Sequence, residues 1–176
     1  MWDHVVQFWS FLNSAIVAAG LTALVVWFVG VRTLEGQRAI ARRQATIDFL
    51  EKRKWDSDYI AARQDFIILR DDADRTMSYW AREAQADRPE RSTIRNILND
   101  YELMAIGIQQ DIFDEKIYQA YWRGTLITDW KKTRPFIEDV REIANAEVYK
   151  SFQDLAEAWQ AGRPFHDASN RKKNTT

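Results

Sequence analysis

Cysteine is absent from this chain of 176 residues, and glycine and proline are scarce at 6 and 3. Without a thiol there is no disulfide and no thiolate metal site. The 2 histidines, His4 and His166, stand near opposite ends and argue against a histidine-based triad or zinc centre. Phosphate-cradling glycine loops, H-E-x-x-H and G-x-S-x-G are missing as well. No catalytic, cofactor-binding or metal-binding residue is therefore singled out, no cofactor is expected, and the chain reads as a non-enzyme. The enzymatic alternatives are a carboxylate-only site at Asp111, Asp114 or Glu115, and Glu102, an unusual charge between Leu98 and Ile106, as a general acid or base, though it reads better as a structural ion pair. The cluster Asp71, Asp72 and Asp74 reads as a solvated helix face, because adjacent helical positions diverge where a hard cation needs converging oxygens. So little Gly and Pro, among many Ala, Arg, Glu, Gln and Leu, predicts an all-α chain.

Charge is also missing, locally: no charged residue occurs from Val5 to Val31. About 20 apolar residues cross a hydrocarbon core of about 30 Å, so Phe11–Val31 is long enough for a transmembrane helix. Trp2 and Trp9 on one side and Trp27 near the other resemble interfacial anchors. A cleaved signal peptide would carry a basic segment first, and Trp2-Asp3-His4 has none. The mean hydropathy of -0.48 hides this segment by averaging it with a polar remainder. Arg32, Arg38, Arg42 and Arg43 follow the span while Asp3 precedes it. The positive-inside rule then puts the carboxyl side in the cytoplasm and the amino terminus outside, with these four arginines at the membrane surface. Ser14, Ala18, Gly20 and Thr22 form a small-residue stripe suited to helix–helix packing within the span.

Five segments follow: a short outside amino terminus (1–10), the span (11–31), a basic stalk helix (32–54), a cytoplasmic helical bundle (55–162) and a disordered polar tail (163–176). The stalk shows no heptad repeat long enough for a coiled coil. In the bundle, Asp56 or Ser57 caps a helix carrying Ile60, Phe66, Ile67 and Leu69 onward to Met77 and Trp80, with a turn at 86–90. Ser92 caps the next, whose Ile94, Ile97, Leu98, Tyr101, Ala105 and Ile108 make an apolar face, with Gly107 allowing close backbone approach. Asp114 starts a helix rich in aromatics (Tyr118, Tyr121, Trp122, Trp130), read as core in preference to a ligand pocket or nucleic-acid platform. Thr133 and Pro135 mark a further start. Tyr149, Phe152, Ala156 and Trp159 line a last helix that Gly162 ends.

The run ILNDYELMAIGIQQDIFDE, then Trp130, then PFIEDVR, resembles a family of small membrane-anchored helical proteins of bacteria and their phages, domain of unknown function 4760. The matching elements are Tyr101-Glu102, Ala105, Gly107-Ile108, Asp114-Glu115, Trp130, Pro135, Ile137 and Arg141. The resemblance implies an architecture, placed at the bacterial inner membrane, and no activity. It suggests a structural ion pair of Glu102 with Arg134 or Arg141. The expected function is a membrane-tethered interaction or scaffold protein whose partners are the bilayer and a second copy or another protein, with no nucleic acid. The alternative is an oligomerising effector that perturbs the membrane.

Overall fold

The computed structural model describes the backbone of residues 2–165 and the side chains of all of these but residues 2–19, Leu21 and Glu83. It is helical, with no strand among the described residues. Helix α1 runs Trp2–Trp55, α2 Ser57–Arg70, α3 Met77–Ala81, α4 Pro89–Gln109, α5 Glu115–Ile143 and α6 Lys150–Gln160, with a 3₁₀ turn at Glu83–Gln85. The chain divides into two compact units, Met1–Ala41 and Arg42–Thr176. The second unit thus takes in the last turns of α1, which the sequence assigned to a separate stalk.

In the first unit, Leu24, Val25, Val26, Trp27, Phe28 and Val29 are all 55–68 % exposed. Among the described residues no helix is long and apolar enough to cross a membrane, so the transmembrane helix expected over 11–31 is not shown. Phe11–Ala19 and Leu21 of that segment lie outside the described side chains, and so do Ser14 and Ala18 of the small-residue stripe. Gly20 has open space where a Cβ would stand. Thr22 is exposed.

The second unit is built on α4 and α5. Asp56 caps α2 by accepting hydrogen bonds from the Asp58 and Tyr59 amides at 3.1 and 3.0 Å. That helix stops at Arg70. Asp72 then accepts from the Asp74 and Arg75 amides at 2.8 and 3.2 Å. The acidic cluster is therefore a side-chain-closed turn rather than a helix face. Met77 and Trp80 sit on their own short helix beyond it. Helix α4 begins with Pro89 in its first turn, ahead of the expected Ser92 cap, because proline's fixed φ and missing N–H suit that position. Asp114 caps α5 as the sequence predicts, accepting from the Lys116 and Ile117 amides.

Pro135 lies inside α5 rather than at a helix start. Its missing N–H costs the hydrogen bond to the carbonyl of residue 131, but Lys131 and Pro135 are both exposed, so water can serve that carbonyl. The buried positions Leu126, Trp130, Thr133 and Ile137 keep helical spacing across the proline, and their burial holds the helix together. Helix α2 packs on α4, α3 on α5, and α6 on both α4 and α5. At their meeting point Tyr101 stacks on Phe152 with centroids 4.8 Å apart, while Trp130 meets Phe152 edge-on at 5.5 Å. Each large side chain fully buried here, Trp159 and Phe136 among them, adds about 1.5–3 kcal/mol.

Helices α4 and α6 end alike. Past α6, Gly162 takes φ +67° while the Arg163 and Gly162 amides donate back to the Ala158 and Trp159 carbonyls. Past α4, Asp111 takes φ 59° while the Ile112 and Asp111 amides donate to Gly107 and Ile108. Both are left-handed terminations, one on the glycine the sequence marks and one on an aspartate. Phe165, assigned by sequence to a disordered tail, is fully buried. Residues 166–176 of that tail lie outside the described residues.

Candidate functional site

Arg63, Phe66 and Arg70 share one face of α2 at spacings of three and four residues. They meet Asp129 of α5, a carboxylate with no solvent exposure. Arg63 Nη2 and Arg70 Nη1 each lie 2.5 Å from one of its oxygens. The Tyr101 hydroxyl donates to Asp129 Oδ2, also at 2.5 Å. Burial first, and then the Asp129 charge, push the Tyr101 hydroxyl well above its ordinary pKa and keep it a donor. Both carboxylate oxygens are thereby engaged by strong donors, an arrangement suited to holding helices in place. At the outer end Arg70 also pairs with Asp71, which Lys132 approaches at 3.4 Å. The Arg70 hydrogen bond holds the Asp71 carboxyl below its usual range.

Arg63 keeps its other terminal nitrogen, Nη1, buried without a hydrogen-bond partner. Its guanidinium instead lies 5.0, 5.6 and 5.9 Å from the ring centroids of Phe66, Trp122 and Tyr101. Such faces offset part of the desolvation of a cation.

A second set of contacts grips the end of α1. Arg42 pairs with Asp111 at 2.5 Å and Arg43 approaches Asp114 at 3.5 Å. The Thr46 hydroxyl donates to the Arg42 carbonyl and accepts from the Asp114 amide at 2.7 Å. Phe49 packs on Phe113 with centroids 5.5 Å apart, and Arg53 pairs with Asp100 at 2.5 Å. Phe113 lies so close over Gly107 that a Cβ there would stand 2.2 Å from a ring carbon. The backbone approach expected at Gly107 is therefore replaced by the approach of an aromatic ring.

Of the four arginines assigned to the membrane surface, Arg42 and Arg43 are engaged by aspartates of the α4–α5 connection. Arg32 and Arg38 stay exposed, with Arg32 over the Phe28 ring at 4.9 Å.

The ion pair expected among Glu102, Arg134 and Arg141 gives way to other partners. Glu102 accepts from the Ser151 and Phe152 amides at 3.2 and 2.7 Å, so it caps α6 from a helix distant in sequence. The cap is needed because Tyr149, at the N-cap position with φ 56°, offers no side-chain acceptor. Arg141 donates to the Val148 carbonyl and to Gln153 Oε1, both at 2.8 Å. Arg134 pairs with Glu138 one turn on. Glu115 plays a matching part at the far end of α6, accepting from Trp159 Nε1 at 2.9 Å and from the Phe165 amide at 2.6 Å.

Sequence reasoning missed Asp129, Arg63 and Arg70. The available signal was a charge on each apolar face: Asp129 falls between Leu126 and Thr133, and the two arginines flank Phe66. Among the described residues no group of three or more His, Cys, Asp or Glu could hold a metal ion.

The fold and its contacts define an all-helical module carried on a long amino-terminal helix and closed by internal ion pairs. The chain belongs to the family described as "Domain of unknown function (DUF4760)", whose family model matches residues 14–159. No curated protein and no solved structure matches it.

Proposed function

We propose that the chain is a single-pass membrane tether that holds a helical interaction module at the cytoplasmic face, with no catalytic chemistry of its own. The observation that carries this reading is the exposure of Leu24 through Val29 in α1. Consecutive helical positions point around the whole circumference, so one neighbouring helix cannot cover all six. A helix apolar on every side belongs in a large core or in lipid. The charge-free sequence from Val5 to Val31 extends that surface to membrane-spanning length. Arg32 and Arg38, both exposed, mark the cytoplasmic border. The module's buried charges are consumed in holding its own helices together, which favours a binding role over a chemical one.

Membrane fractionation tests the tether. The full chain is expected to stay in the membrane pellet through alkaline carbonate and to leave it only with detergent. Release by carbonate, or an unchanged distribution in Val25→Arg, overturns the reading. Cross-linking in native membranes tests the module: a discrete foreign protein joined to residues beyond Arg42 supports it. A ladder of self-links through residues 14–22 together with loss of membrane potential on induction favours the oligomerising effector instead.

A further inference from the structure

The aromatic stretch of α5 divides between two environments. Tyr118, Leu126 and Trp130 enter the core, whereas Tyr121 and Trp122 line an open cleft with a volume of about 220 Å³. Leu50, Ile60 and Trp122 supply apolar wall. Three cations, Arg53, Lys54 and Arg63, also line it, and no Asp or Glu does. Asp100 and Asp129 hold two of those cations from outside the lining. Arg63 is 9 % exposed and keeps Nη1 without a hydrogen-bond partner. Lys54 stands over the exposed Trp55 ring at 5.2 Å.

This lining selects among ligand classes. A cation is repelled by three like charges. A neutral apolar molecule gains contact with the walls and nothing from the charges. A doubly charged phosphate favours a free guanidinium fork, and here both guanidiniums are already committed to carboxylates. A monoanion with an apolar body meets both features. An enclosed apolar space of about 150 Å³ takes a benzene ring, so this cleft has room for a ring and a short acid tail. We propose that the cleft is a binding site for a small apolar carboxylate, its ring or short acyl chain against Leu50, Ile60 and Trp122 and its carboxylate beside Lys54. The site is a property of the second unit alone and is independent of the membrane reading.

The probe is 4-(trifluoromethyl)phenylacetate, followed by fluorine NMR against the full chain in zwitterionic nanodiscs, with empty nanodiscs as the blank. The primary amide of the same acid is the neutral control. The carboxylate is expected to bind saturably and about tenfold more tightly than the amide, the worth of one charge-assisted hydrogen bond. Lys54→Gln is expected to bring the two affinities together. Ile60 is 41 % exposed, so a charge there is tolerated by the fold. Ile60→Glu is expected to abolish carboxylate binding while leaving the circular dichroism melt unchanged. Equal affinity for acid and amide, binding unaffected by Ile60→Glu, or no saturation up to about 10 mM each overturns the proposal.

Discussion

Replacing Asp129 by alanine takes the acceptor from Arg63 and Tyr101 and leaves Arg70 only Asp71. Arg63 and Arg70 side chains are 11 % and 13 % exposed and Asp129 is fully buried, so neither guanidinium is well solvated where it stands. Breaking a buried pair from one side costs about 3–5 kcal/mol, because the remaining charge stays desolvated without compensation. With a urea dependence of about 2 kcal/mol per molar, the midpoint should fall by about 2 M. The melting temperature should fall by about 10–20 °C. Urea and thermal denaturation of the full chain, followed by tryptophan fluorescence and circular dichroism, read both quantities. The reasoning has a second arm. Removing the whole cluster with Asp129→Leu, Arg63→Met, Arg70→Met and Tyr101→Phe leaves no buried charge unpaired, with exposed Asp71 keeping Lys132, and stability should return to within about 2 kcal/mol of the parent. A loss below about 1 kcal/mol for Asp129→Ala would refute the argument by showing that both arginines reach water once released. So would a combined variant weaker than the single one.

Gly107→Ala should destabilise by about 1–2 kcal/mol despite alanine's better helix propensity, because Phe113 must leave its place over α4. Hydrogen exchange should show faster opening around Thr46 and Phe49, and an unchanged exchange pattern there would contradict the clamp. Glu102→Ala removes the cap of α6 and should cost about 0.5–2 kcal/mol, with the Ser151 and Phe152 amides gaining the most exchange. Burial raises the Asp100 carboxyl above its ordinary pKa, outweighing Arg53. The folded state then holds that proton more tightly than the unfolded one. Its contribution is fully present below the unfolded value of about 3.9 and is lost as pH rises through the folded value. The stability of the parent relative to Asp100→Asn should therefore decline as pH rises through that window, and a constant or rising difference would sink the assignment.

Local features were legible in the sequence and distant ones were not. Asp56 and Asp114 announce helix starts because a cap acts within three residues of itself. The spacing from Ile94 to Ile108 announces a buried face for the same reason, since it repeats within one turn. Pro135 misleads because its rule concerns an isolated helix, whereas burial on either side of it overrides one missing hydrogen bond. Glu102 stands out as a charge on a partly apolar helix, but its partners are backbone amides and not the arginines expected. Backbone amides at Ser151 and Phe152, about fifty residues on, leave no mark in a side-chain pattern. Arg42 and Arg43 show the same limit. Their charge placed them at a membrane border, and only the fold brings Asp111 and Asp114 to them. The α5 aromatics read together as core, whereas Tyr121 and Trp122 line a cleft, because sequence spacing does not tell which aromatics on one helix turn inward.

The two carboxylates that hold α6 also set the order in which the module can be completed. Glu102 and Glu115 belong to α4 and α5, and they wait for amides and an indole supplied between Ser151 and Phe165. Until those residues have left the ribosome, the aromatic faces of α4 and α5 have no cover. A message truncated before Lys150 therefore yields a product whose core is open along one side, with that surface available to chaperones and proteases. Helix α6 works as a check on completeness: only a chain translated through it can shut the bundle.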